Sequence, residues 1–470
     1  MNRQNVSRYF FIASLCLACF GYGVAVVRFR VFPYRWINEA ELAARAFNDV
    51  YSGEADAYTR YVNRYVRRNE QPIAPPGVRS FDESSFAEFV FVLGGPDQMR
   101  SETAPEGCLG CIVNRQGAVV HEWRYNRALL DDIAATSATT PGARIFPVGA
   151  HVFDNGDLLV TLQGFPANPY GIGLLKIDCN SNVVWSLARN AHHWFSIDED
   201  GTIYAPAHRE IDAPVRLGDS TAFLDSSTGK ILEDLVQIVS PDGRIREEIS
   251  VIQLLVDVGL LGLFRGESNA EGIDSERVAM RFNAGDPLHL NSVRLVRAGE
   301  TQAGGLLTPG DLILSLRNIN TVAVMDRKSR RIKWTSVGSF VQQHSPVVYN
   351  GGLLLLDNRG GGSATGGSRL ARIDFESRFS QTIFPKPDVA LPEPFETWRA
   401  GHIALHPSGK RALIASTYQG VVWEIDLESG KVLWEFINLD PANPLRRKKA
   451  HQALYVENPQ FEMNGAQRSP

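Results

Sequence analysis

The chain has 470 residues, 44% of them hydrophobic and 21% charged, enough apolar material for a large core and not the composition of a disordered segment. A formal net charge of −4, spread without long blocks, leaves no basic stripe of the kind that tracks a phosphate backbone, and argues against nucleic acid as a partner.

Residues 9–27, YFFIASLCLACFGYGVAVV, form a run of 19 without a charge. That is close to the ~20 that cross a bilayer as a helix, and Arg3 and Arg8 precede it. The pattern predicts an N-terminal transmembrane helix over 1–30, retained as an anchor. A cleaved signal peptide fits less well, because the apolar run continues into RFRVF without a small-residue cleavage site. LAC, ending at Cys19, is a poor lipoprotein box for the same reason. Arg28, Arg30 and Arg35 offset the charge bias across the span and leave its orientation open. Residues 36–70 then show apolar positions at helical spacing, and NEQPIAPPGVRS breaks the pattern. The segment 31–82 therefore reads as a short helical stalk and linker.

Beyond it the texture changes to short β-branched and aromatic runs separated by Gly, Asp and Asn, the signature of repeated antiparallel strands. One unit recurs six times: an apolar strand, an Asp or Asn turn, a strand often ending in Trp, a gap, a His, and two more strands about a Gly turn. The copies begin at CIVNRQG, LLKIDCN, QIVSPDG, VAVMDRK, LARIDFE and VWEIDLE. Four strands per copy, repeated radially, predict an all-β fold, a six-bladed β-propeller over 83–462 with a tail at 463–470. The apolar stretch at 86–94 is expected to pair with the last unit and close the ring. An apolar, helix-like insertion at 251–282 interrupts the repeat; a lid, a membrane-touching element and extra packing all remain open for it.

Of five cysteines, Cys16 and Cys19 lie in the predicted span, while Cys108, Cys111 and Cys179 follow it. GCLGC has C-x-x-C spacing, but no second pair completes a zinc cage. A disulfide between Cys108 and Cys111, or two free thiols, is expected instead. Trp123, Trp185, Trp334, Trp423 and Trp434 recur near strand ends and read as blade packing. The Gly-rich 360–368 opens no helix and reads as a loop rather than a phosphate cradle.

Equivalent positions of a closed radial repeat face one another around its axis. His151, His193, His289, His344, His402 and His451 occupy one phase of the repeat and are expected to form a ring, with His192 competing with His193. Taken singly, a repeated His also serves as a blade-to-blade hydrogen bonder, and His151 and His451 are read that way. His289, in HLNS, and His344, in QHSP, have richer surroundings. Arg317 and Asn318 end the strand after His289, and a guanidinium, an amide and imidazoles converging in a funnel form an anion site with a candidate nucleophile.

The stretch HLNSVRLV…GDLILSLRN followed by QHSPVVYNGGLLLLDN resembles the bacterial arylsulfate sulfotransferases, six-bladed propellers that move a sulfuryl group from an aryl sulfate to a phenol. The resemblance covers about residues 105–455 at repeat level. It implies that His344 is the nucleophile, transiently sulfated, in a ping-pong transfer. It implies that His289, Asn291 and Arg317 hold the sulfuryl oxygens, and that His193 adds a binding or acid–base group. His192 and His402 are carried as further binding candidates. The longer turn RAGETQAGGLLTPG, before Arg317, departs from the pattern. The chemistry suits these residue types: an imidazole with an ordinary pKa near 6.5 is available as a nucleophile at neutral pH.

The expected partners are an aryl sulfate, a phenol and, through the N-terminal helix, a membrane; the soluble part is placed in the periplasm. No cofactor or metal is expected, since the chain has neither a G-x-x-x-x-G-K-[ST] loop nor a plausible metal cage. The competing readings are a non-catalytic envelope propeller that binds a protein, polysaccharide or anionic ligand, and a quinone-dependent dehydrogenase. A His-rich rather than carboxylate-rich centre weighs against the latter. Oligomeric state is not set by the sequence.

Overall fold

The computed structural model describes residues 3–29, 32 and 68–461, except for 74–76, 83–88, 95–106, 125–132, 134–143, 166, 221, 227, 265–266, 269–277, 283–284, 301–305, 363–365, 441–442, 458 and 460. The predicted stalk, apart from its last residues, and the tail lie outside the described residues. The chain divides into two units, 1–63 and 64–470.

In the first unit, helix α1 (Arg3–Phe29) covers the uncharged run. Side chains 11–24 are exposed, as apolar positions with no core against them. Among the described residues no helix is long and apolar enough to cross a membrane.

The second unit is the six-bladed propeller. Blade 1 joins Gln452–Val456, from the end of the chain, to Phe89–Leu93, Cys108–Val113 and Val119–Arg124. The predicted closure is thus formed, with Phe89 opposite Val456 and Leu93 opposite Gln452 in antiparallel register. Blade 2 comprises Arg144–Val152, Leu158–Phe165, Gly171–Ile177 and Val183–Leu187, and blade 3 Ser196–Ile197, Ile203–Asp212, Lys230–Val239 and Ile245–Ser250. Blade 4 comprises Leu290–Leu295, Leu312–Leu316, Thr321–Asp326 and Arg331–Val337. Blade 5 follows with His344–Tyr349, Gly352–Asp357, Arg369–Asp374 and Ser380–Phe384, and blade 6 with His402–Leu405, Arg411–Ser416, Val421–Asp426 and Val432–Ile437. Val78–Ser80 adds a fifth strand at the outer edge of blade 6, so the sheet reaches into the segment read as linker. The first strand of each blade lines the axis. Inner strands are covered on both faces by neighbouring blades, which is why Gly352–Asp357 is buried throughout, while the outer Val183–Leu187 has no fully buried residue.

Tryptophans bolt successive blades together. The indole N–H of Trp123 in blade 1 donates to the Gly156 carbonyl of blade 2 at 3.0 Å, and that of Trp185 in blade 2 to Pro241 of blade 3 at 3.0 Å. Trp334 of blade 4 donates to Phe375 of blade 5, and Trp434 of blade 6 to Arg115 of blade 1, both at 2.9 Å. Blade 3 carries no Trp on its outer strand. There helix α2 (Val251–Asp257), N-capped by Ser250, buries Val251, Ile252, Leu254 and Leu255 in the core shared by blades 3 and 4. Among the described residues of 251–282, the helix-like reading holds for α2 and a 3-10 turn at Leu261–Leu263. Val278–Phe282 is a strand, parallel to Ala222–Ser226 in a small side sheet. Of the two readings kept for Cys108 and Cys111, the structure holds the pair as buried thiols rather than a disulfide, the Cys108 side chain hydrogen-bonded to Cys111. Burial, and then the hydrogen bond with Cys108, push the Cys111 thiol well above its ordinary pKa. A bulge in the strand brings the two thiols into one apolar cluster.

Candidate active site

The candidate site stands where the axial strands of blades 3, 4 and 5 begin. His193 and His289 both take left-handed backbone angles, φ 54° and 56°, uncommon for residues with a Cβ and a sign of local constraint. Their rings lie 5.0 Å apart, edge to face. Trp194, next to His193, meets the His344 ring edge-on at 5.7 Å. Trp194 also donates its backbone N–H to Asn291, and Val293 donates to Trp194, which sews blade 3 to blade 4 at this level.

His344 is buried and its Nδ1 lies 2.6 Å from Asn358 Oδ1. The Asn358 amide is oriented by its own donations to the carbonyls of Thr397 and Ala400, so Oδ1 faces the imidazole as an acceptor. That bond keeps the proton on Nδ1 and leaves the lone pair on Nε2. Burial, reinforced by the charge of Arg317, pushes the His344 pKa well below the ordinary histidine value against the opposing Asn358 bond. Burial and the neighbouring His192, His289 and His344 do the same to His193.

Arg317 follows the second strand of blade 4. Its backbone N–H donates to His289, and its guanidinium donates to Asn318 Oδ1 at 2.9 Å. Burial, with Arg399 and Arg359 adding to it, lowers its pKa to about 10, so it remains a cation at neutral pH. His289 Nδ1 lies 2.5 Å from Asp286 Oδ2, while Asp286 Oδ1 accepts the His289 backbone N–H. Burial opposes ionisation of Asp286, but His289, His208 and Arg317 together hold its carboxyl below the usual carboxylate range.

The structure thus brings His193, His289, Arg317 and His344 together, with His192 packed behind His193. His192 lies behind His193, its Nδ1 2.8 Å from the His193 Nδ1, and stacks on His208 away from the axis. His193 is therefore the member that reaches the cluster. Asn291 is fully buried and donates to the Gln343 carbonyl at 2.8 Å, bracing blade 4 to blade 5 beside His344. His402 sits on the far side of Trp194, 6.0 Å from its ring. There it lines an axial cavity of about 750 Å³ with Trp194, Ser345, Arg294 and Arg297; His193, His289 and His344 do not line it. The six-membered ring is not formed: Gly149, against the His193 carbonyl, holds the blade 2 position two residues before His151, and His451 is stacked on Phe146.

Four contributors escaped the sequence reading. Tyr170 packs against His193, His208 and His289, with its hydroxyl 3.3 Å from His289 Nδ1. His208 is buried behind His192. Asp286, three residues before His289, and Asn358, at the end of LLLLDN, were both within the stretches of interest, but only their hydrogen bonds reveal them. Among the described residues no group of three His, Cys, Asp or Glu side chains is placed to hold a metal ion.

The profile of the family described as Arylsulfotransferase (ASST) matches residues 149–439, well over half of the chain and all of the cluster. The chain belongs to the arylsulfotransferase family. No curated protein matches it. Among solved structures it is similar to a protein of unknown function from Bacteroides caccae, at 12% identity, TM-score 0.45, and coverage of 79% of this chain and 99% of that one. It is also similar to virginiamycin B lyase from Staphylococcus aureus, at 11% identity, TM-score 0.33, and coverage of 62% and 69%.

Proposed function

We propose that the protein is a sulfotransferase that moves a sulfuryl group from an aryl sulfate to a phenol through a sulfohistidine at His344. The observation that carries the reading is the Asn358-held His344, with Nε2 as its free lone pair, in one cluster with Arg317, His289 and His193. In the first half-reaction Nε2 attacks sulfur, the bond from sulfur to the aryl oxygen breaks, and the departing oxygen takes a proton from His289. In the second, the acceptor hydroxyl returns a proton to His289, its oxygen attacks sulfur, and the S–N bond breaks with its electrons going back to Nε2. Arg317 and His193 hold the sulfuryl oxygens, Asp286 orients His289, and Asn291 braces the cluster. Charge spreading over three oxygens is met by donors already fixed in place, each worth roughly 10²–10³ in rate.

We further propose that α1 anchors the enzyme to a membrane with the propeller in the periplasm, on the strength of the uncharged run at 9–27. The deciding experiment incubates the purified protein with 4-nitrophenyl sulfate, with and without phenol. Nitrophenol release that depends on the acceptor is expected, and His344→Asn should remove both turnover and an acid-labile sulfated intermediate. Full activity in that variant ends the assignment, and no release from the folded protein with any phenol favours a non-catalytic anion-binding propeller.

A further inference from the structure

The axis holds a second chamber. Past Trp194, which packs against His344 and also lines the cavity of about 750 Å³, the axial strands of all six blades form one wall, from Ala150 in blade 2 round to Leu454 in blade 1. The volume lies within the roughly 300–1,000 Å³ of small-molecule sites. Val293, Val348 and Leu405, from blades 4, 5 and 6, give the wall apolar surface.

Its charged groups come from one short stretch of blade 4. Arg294 and Arg297 both line the cavity, and Glu300 is the only carboxylate among the described lining residues. Glu300 is engaged at both oxygens: one pairs with Arg294 Nη2, and the other accepts the Arg297 backbone N–H at 3.0 Å. The Arg297 guanidinium is exposed and donates to the Ile197 carbonyl at 3.2 Å. Arg294 Nε is buried with no acceptor among the described residues, and so is the indole N–H of Trp194. Neither group can turn into an acceptor, and an unmet buried donor costs about 1–3 kcal/mol. Burial and then Arg294 lower the His402 pKa to about 3, while burial and then Arg297 lower that of His151 to about 4. These two lining imidazoles are therefore neutral at neutral pH, and two guanidinium groups against one carboxylate leave the lining with net positive charge.

We infer that this cavity is a binding site for an organic anion: a carboxylate or sulfonate-type head group on an apolar body about the size of a benzene ring. Arg297 and the Nε edge of Arg294 take the head group, which gives Arg294 Nε the acceptor that the protein does not, and the apolar wall takes the body. Neither Arg317 nor the imidazoles of His193, His289 and His344 line the cavity, so the site is separate from the cluster and does not rest on the sulfotransferase reading.

Calorimetric titration of the full chain with benzenesulfonate tests this, because the carbon–sulfur bond of a sulfonate is not transferred and only binding is read. R317Q removes the cation of the histidine cluster, and binding is expected to persist in it. Benzoate should bind comparably, with benzyl alcohol, the neutral match, at least tenfold weaker and the gap narrowing in high salt. Adding R297Q to R317Q should weaken benzenesulfonate about tenfold, the size of one charge-assisted hydrogen bond. Adding R294Q/E300Q instead, which removes the ion pair without leaving Glu300 a lone charge, should do the same. Absence of binding in R317Q overturns the inference, as does benzyl alcohol binding as well as the anions. Inorganic sulfate binding as tightly as benzenesulfonate, or an affinity unchanged by both added sets of substitutions, overturns it too.

Discussion

The nucleophile is defined less by His344 itself than by the side chain behind it. An imidazole has two nitrogens, and which one attacks depends on where the other is held. Asn358 Oδ1 accepts the hydrogen bond of His344 Nδ1 at 2.6 Å, and its amide nitrogen is itself locked on two backbone carbonyls. Asn358→Ala removes that lock while leaving every group that touches sulfur. It should lower kcat by roughly 10²–10³ with KM for 4-nitrophenyl sulfate little changed, as when a positioning partner is lost from a catalytic histidine. In the wild-type enzyme the acid limb of kcat/KM should fall below pH 6.5, because burial and then Arg317 push the His344 pKa down. In Asn358→Ala the limb should move lower still, since the hydrogen bond that favours the protonated ring is gone. A profile unmoved in the variant would separate the limb from His344. The importance of His289, Arg317 and His344 was legible because they stand in polar clusters at repeat phase. That of Asn358 was not, because an Asn at a strand end commonly serves a turn.

At the scale of elements, the blades repeat in chemistry as well as in shape. Four outer or near-outer tryptophans donate to a carbonyl of the next blade, three of them from fully or nearly fully buried rings. The recurrence of Trp at strand ends was visible, and blade packing was the reading made of it. The hydrogen bond that orients each ring was not visible, because its acceptor lies in a different repeat. Trp334→Phe keeps most of the packing and loses one bond, so urea unfolding should show a cost of about 1 kcal/mol. Trp334→Ala leaves a cavity as well and should cost about 3–5 kcal/mol. Equal costs for the two would mean that ring volume is not what holds blades 4 and 5. Where blade 3 lacks the Trp, α2 supplies the apolar contact with four buried side chains, each worth about 1.5–3 kcal/mol of burial. The insertion at 251–282 is thus in part a replacement for a missing bolt.

At the scale of the whole molecule, the propeller buries a set of histidines whose pKa values fall below the ordinary one. Burial lowers the pKa of His208 to about 4 and of His402 to about 3, and holds His192, His193, His344 and His451 well below the ordinary value. The unfolded chain takes up protons near pH 6.5 that the folded chain refuses, so it binds more protons throughout the interval below that pH. Stability therefore rises with pH across it and is lost on acidification, most steeply between about pH 6.5 and 4. Thermal unfolding followed from pH 7.5 to 4.5 should show a falling Tm, and His208→Gln should flatten the slope by up to about 1.4 kcal/mol per pH unit. A Tm independent of pH in that window would mean that the histidines are hydrated rather than buried.

The strand pattern, the sixfold repeat and the pairing of Phe89–Leu93 with the last unit were all determined by the sequence alone. They follow from hydrophobic periodicity and repetition along the chain, which short-range order carries. The cluster of His193, His289, Arg317 and His344 was readable to the extent that repeat phase places equivalent residues around one axis. Which histidines share it was decided by the tertiary structure. His151 and His344 look alike in the sequence, yet a slip of two residues in blade 2 puts Gly149 where a ring member would stand. His192 and His193 are neighbours, and only the left-handed turn at His193 determines which ring reaches the axis. Asn358 and Tyr170 gain their roles from contacts between segments far apart in the chain. Such contacts exist only once the ring has closed and the packing of blade on blade has chosen among local alternatives of similar energy.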